Sequence, residues 1–256
     1  MPSVPRPTLL RIGCAGWSVV AAHRDLLGPG DSMLARYATR FDCVEINSSF
    51  YRSHQRDTYV RWAASVPPGF RFSVKLPQQI THEQALRRAR VPLLRFLDEI
   101  AGLGRKLGGI LVQLPPSLSF DARVADAFFA LLRQHYDGPV ACEPRHASWF
   151  EPRRDTFWQR HTVARVAADP PRVAGGESPG GATTHWRYWR WHGSPRMYYS
   201  RYEDEPLRAL SDAMRNRTPR RTWCIFDNTA GGHAAGDAAR LQDQFRSARR
   251  PGRSRG

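Results

Sequence analysis

FRFSVKLP, residues 70–77, alternates strictly, with Phe70, Phe72, Val74 and Leu76 set against Arg71, Ser73 and Lys75. Successive side chains of a strand point to opposite faces, so this segment reads as a strand with one apolar face and one face ending in a charge. The preceding segment FDCVEINSSF (41–50) repeats the pattern, Val44 and Ile46 against Cys43, Glu45 and Asn47. Working outward, GPVACEP (138–144) sets Val140 and Cys142 against Ala141 and Glu143, with Arg145 next, and WRYWRWHG (186–193) sets Trp189 and Trp191 against Tyr188, Arg190 and His192.

Four more apolar segments complete the series: LLRIGCAGW (9–17), GGILVQLPP (108–116), TVARVAADP (162–170) and RTWCIFDN (221–228). That makes eight, roughly one per thirty residues. Between them lie stretches such as LLRFLDEIAGLGRKL and ADAFFALLRQHY, where apolar residues return every three or four positions as on a helix. Eight strand–helix units in 256 residues predict a single TIM-type (β/α)8 barrel, possible irregularities included, spanning residues 1–245. An open doubly wound sheet fits less well, and neither GxGxxG nor GxxxxGK[ST] occurs, so no nucleotide cofactor is expected. The Gly- and Pro-rich segment PPRVAGGESPGGATTH (170–185) predicts a long loop at the exit of the sixth strand.

The formal charge is +16, from 39 basic and 23 acidic residues, and only Lys75 and Lys106 are lysine. So lopsided a ratio points to coding bias towards Arg as much as to a selected nucleic-acid surface, and nucleic-acid binding is kept as the alternative. Part of the excess lies in RSARRPGRSRG (246–256), which predicts a basic, disordered tail. No apolar run approaches the roughly 18 residues of a membrane span, and MPSVPRPTLLRIG lacks the apolar stretch of a secretory signal, so a cytoplasmic protein without a membrane partner is expected. The scattered Cys14, Cys43, Cys142 and Cys224 read as buried thiols.

In a barrel the apolar set packs beneath the helices, and the second set faces inward. Glu45, Lys75, Glu143, Arg190 and His192 are thereby expected to meet at the carboxyl ends of the strands, the face that carries barrel active sites. Lys75 is a compact amine in a chain that otherwise uses Arg, and suits a general base or a Schiff base. Glu143, Asp169, His192 and Asp227 end four successive segments and are ligand types of a divalent cation, in an order that resembles the metal site of xylose-isomerase-like barrels. His146 follows the fifth segment within reach of a ligand, and His82 is expected to open a helix with Thr81 as its N-cap.

The runs GCAGWS (13–18), VEINSSFYR (44–52), GFRFSVKLPQQITHE (69–83), CEPRHASWF (142–150), RWHGSPRMYYSRY (190–202) and FDNTAGGHAAGDA (226–238) resemble the YecE-like family, number 72 among the domains of unknown function. The resemblance implies a TIM-type barrel and supplies no reaction. It places motif residues at Glu45, Asn47, Tyr51, Lys75, His82, Gln113, Glu143, Arg145, His146, Trp149, His192, Gly193, Tyr199 and Asn228. It departs at VVAAHRDLLGPGD after GCAGWS, and at His233 and Asp237, where relatives carry small residues and Asn. The resulting expectation is an enzyme with Glu45 and Glu143 as an acid and base pair, assisted by Lys75 and His192. Asn47, Tyr51, His82, Gln113, Arg145, His146, Trp149, Arg190, Tyr199 and Asn228 would bind an anionic or polyhydroxylated small molecule. The alternatives are a nucleic-acid-associated protein, a non-catalytic ligand-binding module, and a metal-dependent isomerase or hydrolase.

Overall fold

The computed structural model describes residues 9–182, 186–215 and 221–247. Strands and helices alternate along the first half of the chain. β1 (Leu9–Cys14), β2 (Cys43–Ile46), β3 (Arg71–Lys75), β4 (Leu107–Gln113) and β5 (Val140–Glu143) are followed by α1 (Met33–Tyr37), α2 (Arg56–Ala64), α3 (Arg90–Ile100), α4 (Ala122–His135) and α5 (Asp155–Arg160). Then come β6 (Val163–Arg165), β7 (Ala167–Asp169), β8 (Gly180–Gly181), β9 (Arg187–Trp191), α6 (Asp204–Arg215), β10 (Arg221–Phe226) and α7 (Ala234–Ser247). α4 shows why such stretches become helices. Asp121 caps it by accepting from the Arg123 and Val124 amides, and Ala125, Phe128, Phe129 and Leu132 form one buried stripe.

The strands form two sheets, a four-stranded one in the order β1-β10-β9-β7 and a six-stranded one in the order β2-β3-β4-β5-β6-β8. The closed eight-stranded TIM-type barrel predicted from the sequence is therefore corrected to an α/β fold with two sheets and no closed barrel. Two local causes break the ring. The segment read as one sixth strand divides at Val166, so that β6 pairs with β5 while β7 pairs with β9 in the other sheet. The far edge of β6 is taken by β8, which folds back antiparallel from the Gly-rich loop and offers Gly180 and Gly181 to Arg165 and Ala164. At the other seam β1 and β2 share one isolated bridge, Ala15 to Glu45.

The predicted alternation is visible in the packing. Val44, Ile46, Phe70, Phe72, Val74, Leu76, Trp189 and Trp191 join the large apolar core that includes the helices. Cys43, Ala141, Tyr188, Trp223 and Ile225 form a second, smaller cluster with members from both sheets. Polar side chains of that second set continue towards the carboxyl ends of the strands, where both sheets contribute to one buried network. The four cysteines are buried and free. Among the described residues no helix is long and apolar enough to cross a membrane. Of the tail expected over 246–256, the first two residues close α7 and the rest lies outside the described residues.

Candidate active site

Strand β9 supplies the centre. Arg190 has no exposed surface, and its guanidinium is shared among carboxylates from three strand ends. Nη2 lies 2.8 Å from Glu45 Oε1 and 2.9 Å from Asp227 Oδ2, Nη1 lies 2.6 Å from Glu143 Oε2, and Nε lies 3.1 Å from Glu45 Oε2. Gln113 Oε1 accepts a further bond from Nη1 at 3.2 Å. An isolated buried charge costs several kcal/mol, and this degree of pairing is what makes the burial tolerable. Burial alone would make Arg190 easier to deprotonate; the three carboxylates outweigh it and hold the guanidinium well above its usual range.

Glu143 is gripped from two more sides. Arg145 Nε donates to its Oε1 at 2.7 Å, and His192 Nε2 lies 3.4 Å from the same oxygen without forming a hydrogen bond. Burial pushes the Glu143 carboxyl up, but Arg145, Arg190 and His192 prevail and hold it well below the usual carboxylate range. Asp227 behaves alike, with burial opposed by Arg190 and His192. Its Oδ2 lies 3.0 Å from His192 Nδ1. An ionised carboxylate only accepts, so Nδ1 carries the proton in this contact, and Nε2 is left facing inward.

Lys75, at the end of β3, is 4% exposed yet makes no ion pair or hydrogen bond through Nζ among the described residues. Its amine rests 3.9 Å from the centre of the Phe50 ring, held by the attraction of a cation for a π face. Burial and then Arg190 push the amine down from 10.5 to about 8, against the opposite pull of Asp227, Glu45 and Glu143. His82 stands edge-on to the same ring, 4.9 Å between centres. Burial, Lys75 and Arg145 all lower its imidazole below the ordinary value. Contrary to the expectation from the sequence, His82 does not open an α-helix behind a Thr81 cap. Gln79–Glu83 form a single π-helical turn, and Thr81 Oγ1 lies 2.8 Å from His82 Nδ1. Asn47, just after β2, has a buried Oδ1 without a hydrogen bond. A pocket of about 150 Å³ opens beside Phe50, lined also by Tyr51, Pro77, Gln79 and Phe96. None of the charged network lines it.

The structure thus brings Glu45, Lys75, Gln113, Glu143, Arg145, Arg190 and His192 into one cluster, with Asn47 and His82 at its rim. Other predicted residues sit elsewhere. Trp149 is a packing residue, 1% exposed, which donates to Leu118 O and packs edge-on or tilted against Phe120, Phe157 and Trp158. His146 caps its own turn, Nδ1 accepting from the Ser148 amide at 3.2 Å. Tyr51 is 67% exposed, and Tyr199 lies beneath Arg196 on the surface. Asn228 donates through Nδ2 to Ser200 O and to Asp237 Oδ2, while its buried Oδ1 has no hydrogen bond among the described residues.

The divalent-cation set Glu143, Asp169, His192 and Asp227 is not assembled. Asp169 accepts from the Tyr202 hydroxyl at 2.7 Å, and the guanidinium of Arg190 stands between the other acids. Among the described residues no group of three or more His, Cys, Asp or Glu is placed to hold a metal.

Tyr188 and Tyr198 join the network although neither stood among the expected site residues, and Asp237 braces the loop beside it. Tyr188 donates to Glu45 Oε2 at 2.8 Å and meets Ser73 Oγ at 2.7 Å, tying β9 to β2 and β3. Tyr198, with φ of +70°, brings its hydroxyl 3.3 Å from Arg145 Nη2. Asp237, discounted for departing from the family pattern, is buried and accepts from the Tyr202 amide, which seats the loop after β9. Their common signal is position on or just after the strand that carries Arg190 and His192, or against the loop that follows it.

Comparison with known proteins agrees with the motif resemblance. The sequence profile described as "Protein of unknown function DUF72" matches residues 11–255. UPF0759 protein YecE of Escherichia coli (strain K12) is 32% identical over 107 residues, 42% of this chain and 38% of that protein. UPF0759 protein YunF of Bacillus subtilis (strain 168) is 25% identical over 191 residues, 67% of this chain and 64% of that protein. The chain thus spans less than two thirds of the length of either relative. Crystal structures of DUF72 family proteins share its fold. One from Enterococcus faecalis V583 superposes with a TM-score of 0.77 at 23% identity, covering 94% of this chain and 98% of that one. One from Thermotoga maritima MSB8 also gives 0.77, at 24% identity, covering 93% and 99%. With the profile matched along nearly the whole chain, this protein belongs to the DUF72 family of proteins of unknown function.

Proposed function

We propose that the chain is an enzyme acting on an anionic or polyhydroxylated small molecule at the cluster around Arg190, with Lys75 as its reactive group. The observation that carries this reading is the Lys75 amine. It is buried, rests on Phe50, has no ion pair or hydrogen bond among the described residues and is shifted towards neutrality beside a ring of fixed charges. A lysine that served only to balance the acids would sit in contact with one of them.

The expected acid and base roles are redistributed on physical grounds. Glu143 stays ionised and bound to two guanidinium groups, so it is a poor proton donor and serves to orient Arg145 and His192. Glu45 has both oxygens bound by Arg190 and Tyr188 and acts as a fixed support. His192 Nε2, with its tautomer set by Asp227, is the atom placed to exchange a proton with a ligand. Arg145, Gln113, Asn47 and His82 supply the polar contacts. A non-catalytic binding module would use the same groups without turnover. The nucleic-acid alternative rests on an Arg-rich surface and nearby aromatics, and several arginines are already engaged within the protein: Arg133 bonds four backbone carbonyls, and Arg11 bonds Asp42 and Gly69. A cytoplasmic location, consistent with four free thiols, belongs to the same proposal.

The test is mass spectrometry of small molecules retained by the purified wild-type chain and by Lys75→Met and Glu143→Gln variants. A compound held by wild type and lost or accumulated in the Lys75 variant supports the reading. Equal retention by all three, or none by any, removes it.

A further inference from the structure

Lys75 and Arg145 together define a substrate class. Lys75 Nζ offers three N–H groups or, when neutral, a lone pair, and no side chain accepts from it among the described residues. Arg145 is 8% exposed; its Nε is bound to Glu143 and its Nη2 to Gln113 and Tyr198, while its Nη1 makes no hydrogen bond among the described residues. Both cations act on the imidazole of His82, which shares the Phe50 ring with Lys75. A nucleophilic amine and a guanidinium nitrogen with unspent donors, both close enough to act on one imidazole, suit a molecule carrying both a carbonyl and an anion.

We infer that Lys75 Nζ condenses with the carbonyl carbon of an anionic aldehyde or oxo acid to form an imine, with Arg145 holding the anionic group. This deepens the reading of the cluster as a catalytic site and rests on it. The neutral amine attacks the carbonyl carbon, a C–N bond forms, and the carbonyl π pair moves onto oxygen. That oxygen gains a proton and nitrogen loses one, giving a carbinolamine. A second proton, taken from solvent, on the hydroxyl lets it leave as water as the nitrogen lone pair forms C=N, and the protonated imine so formed returns that proton to solvent. No electrons are gained or lost overall. His82, whose imidazole is biased towards its neutral form, can accept the proton leaving nitrogen and pass it to the carbinolamine oxygen.

The chain carries its own control, because Lys106 is its only other lysine and donates to the backbone carbonyls of Ala63 and Val66. The full chain is treated at pH 7 with glyoxylate or with acetaldehyde, in the presence of sodium cyanoborohydride, which reduces any imine to a stable secondary amine. Peptide mass spectrometry then reads Lys75 against Lys106, with the α-amino group on a separate peptide. With glyoxylate, Lys75 is expected to be modified at least about tenfold faster than Lys106, whose amine is engaged by two backbone carbonyls. The Lys75:Lys106 ratio is expected to be lower with acetaldehyde, and the glyoxylate preference to disappear in Arg145→Gln. Equal labelling of the two lysines with both aldehydes in wild type overturns the proposal, and that comparison needs no variant to fold. If Lys75 stays unlabelled while glyoxylate raises the melting temperature of wild type and not of Arg145→Gln, imine formation is excluded and the anion-binding site stands. If neither labelling nor a thermal shift occurs, the imine and the reading of the site as anion-binding fall together.

Discussion

Arg190 and Glu45 form a bidentate pair with no exposed surface on either side chain, Nη2 to Oε1 at 2.8 Å and Nε to Oε2 at 3.1 Å. The pair also crosses from one sheet to the other, since Arg190 lies on β9 and Glu45 on β2. Where the backbone ladder is interrupted, a side-chain network joins the two sheets. Its charges are therefore part of the fold as well as of the site.

Removing the centre of that network strands its partners. Arg190→Leu leaves Glu45, Glu143 and Asp227 without their shared cation, and the expected cost is about 3–5 kcal/mol, the range for breaking a buried pair from one side. Arg190→Lys keeps the charge but cannot reproduce the two-pronged contact, so it should recover only part of the loss. Urea unfolding measures both. An unchanged midpoint for Arg190→Leu would mean that the network adds nothing to stability.

Lys75 should work in the opposite direction. Its amine falls from 10.5 to about 8 on folding, so the unfolded chain binds the extra proton between those values. Stability contributed through this group therefore rises with pH across that window, and its full cost, at most about 3 kcal/mol, is present below it. Lys75→Met is expected to be more stable than wild type at pH 7, with the gap closing towards pH 10. Denaturant melts at pH 7, 8.5 and 10 provide the check, and a gap that widens with pH would contradict the shift. A residue that costs stability where it stands is one retained for what it does.

Glu143 gives the acidic counterpart. Its folded value lies well below the ordinary 4.5, so its stabilisation is present above 4.5 and is lost as pH falls through the folded value. Glu143→Gln should cost about 3 kcal/mol at pH 7, where Arg145 and Arg190 lose a charged partner. The difference from wild type should shrink as the pH drops below 4.5. A difference that stayed constant from pH 7 to pH 3 would show that the Glu143→Gln variant is penalised for the shape of its amide and not for its missing charge.

The site was legible in the sequence to the extent that strand alternation dictates it. Glu45, Lys75, Glu143 and Arg190 occupy the polar parity of their segments, and a period of two sends all four to the same side. The break in TVARVAADP was not legible, because Val166 sits between Arg165 and Ala167 with no Gly or Pro to mark a change of sheet. It becomes visible only when the Ala168 amide is found bonding Gly176 O, a carbonyl from the following loop. Trp149 eludes such reasoning because a strand-end motif does not say which of its members turns inward. Tyr188 eludes it because, in a run such as WRYWRW, a phenol that bonds a carboxylate reads the same as one that only packs.

Tyr188 supports the last prediction. Its hydroxyl joins Ser73 Oγ to Glu45 Oε2 with every participant buried, so Tyr188→Phe keeps the ring and its packing while deleting a single bridge. The expected cost is about 1–3 kcal/mol, because Glu45 loses a donor and the Ser73 hydroxyl is left unsatisfied. Ser73→Ala alone should cost less, since Tyr188 retains its carboxylate acceptor. In the double variant the orphaned serine hydroxyl is gone, and the combined loss should fall short of the sum of the two single losses by about 1 kcal/mol. Strict additivity in urea unfolding would mean that the two hydroxyls do not act as one relay beneath Glu45, and that the carboxylate is held by Arg190 alone.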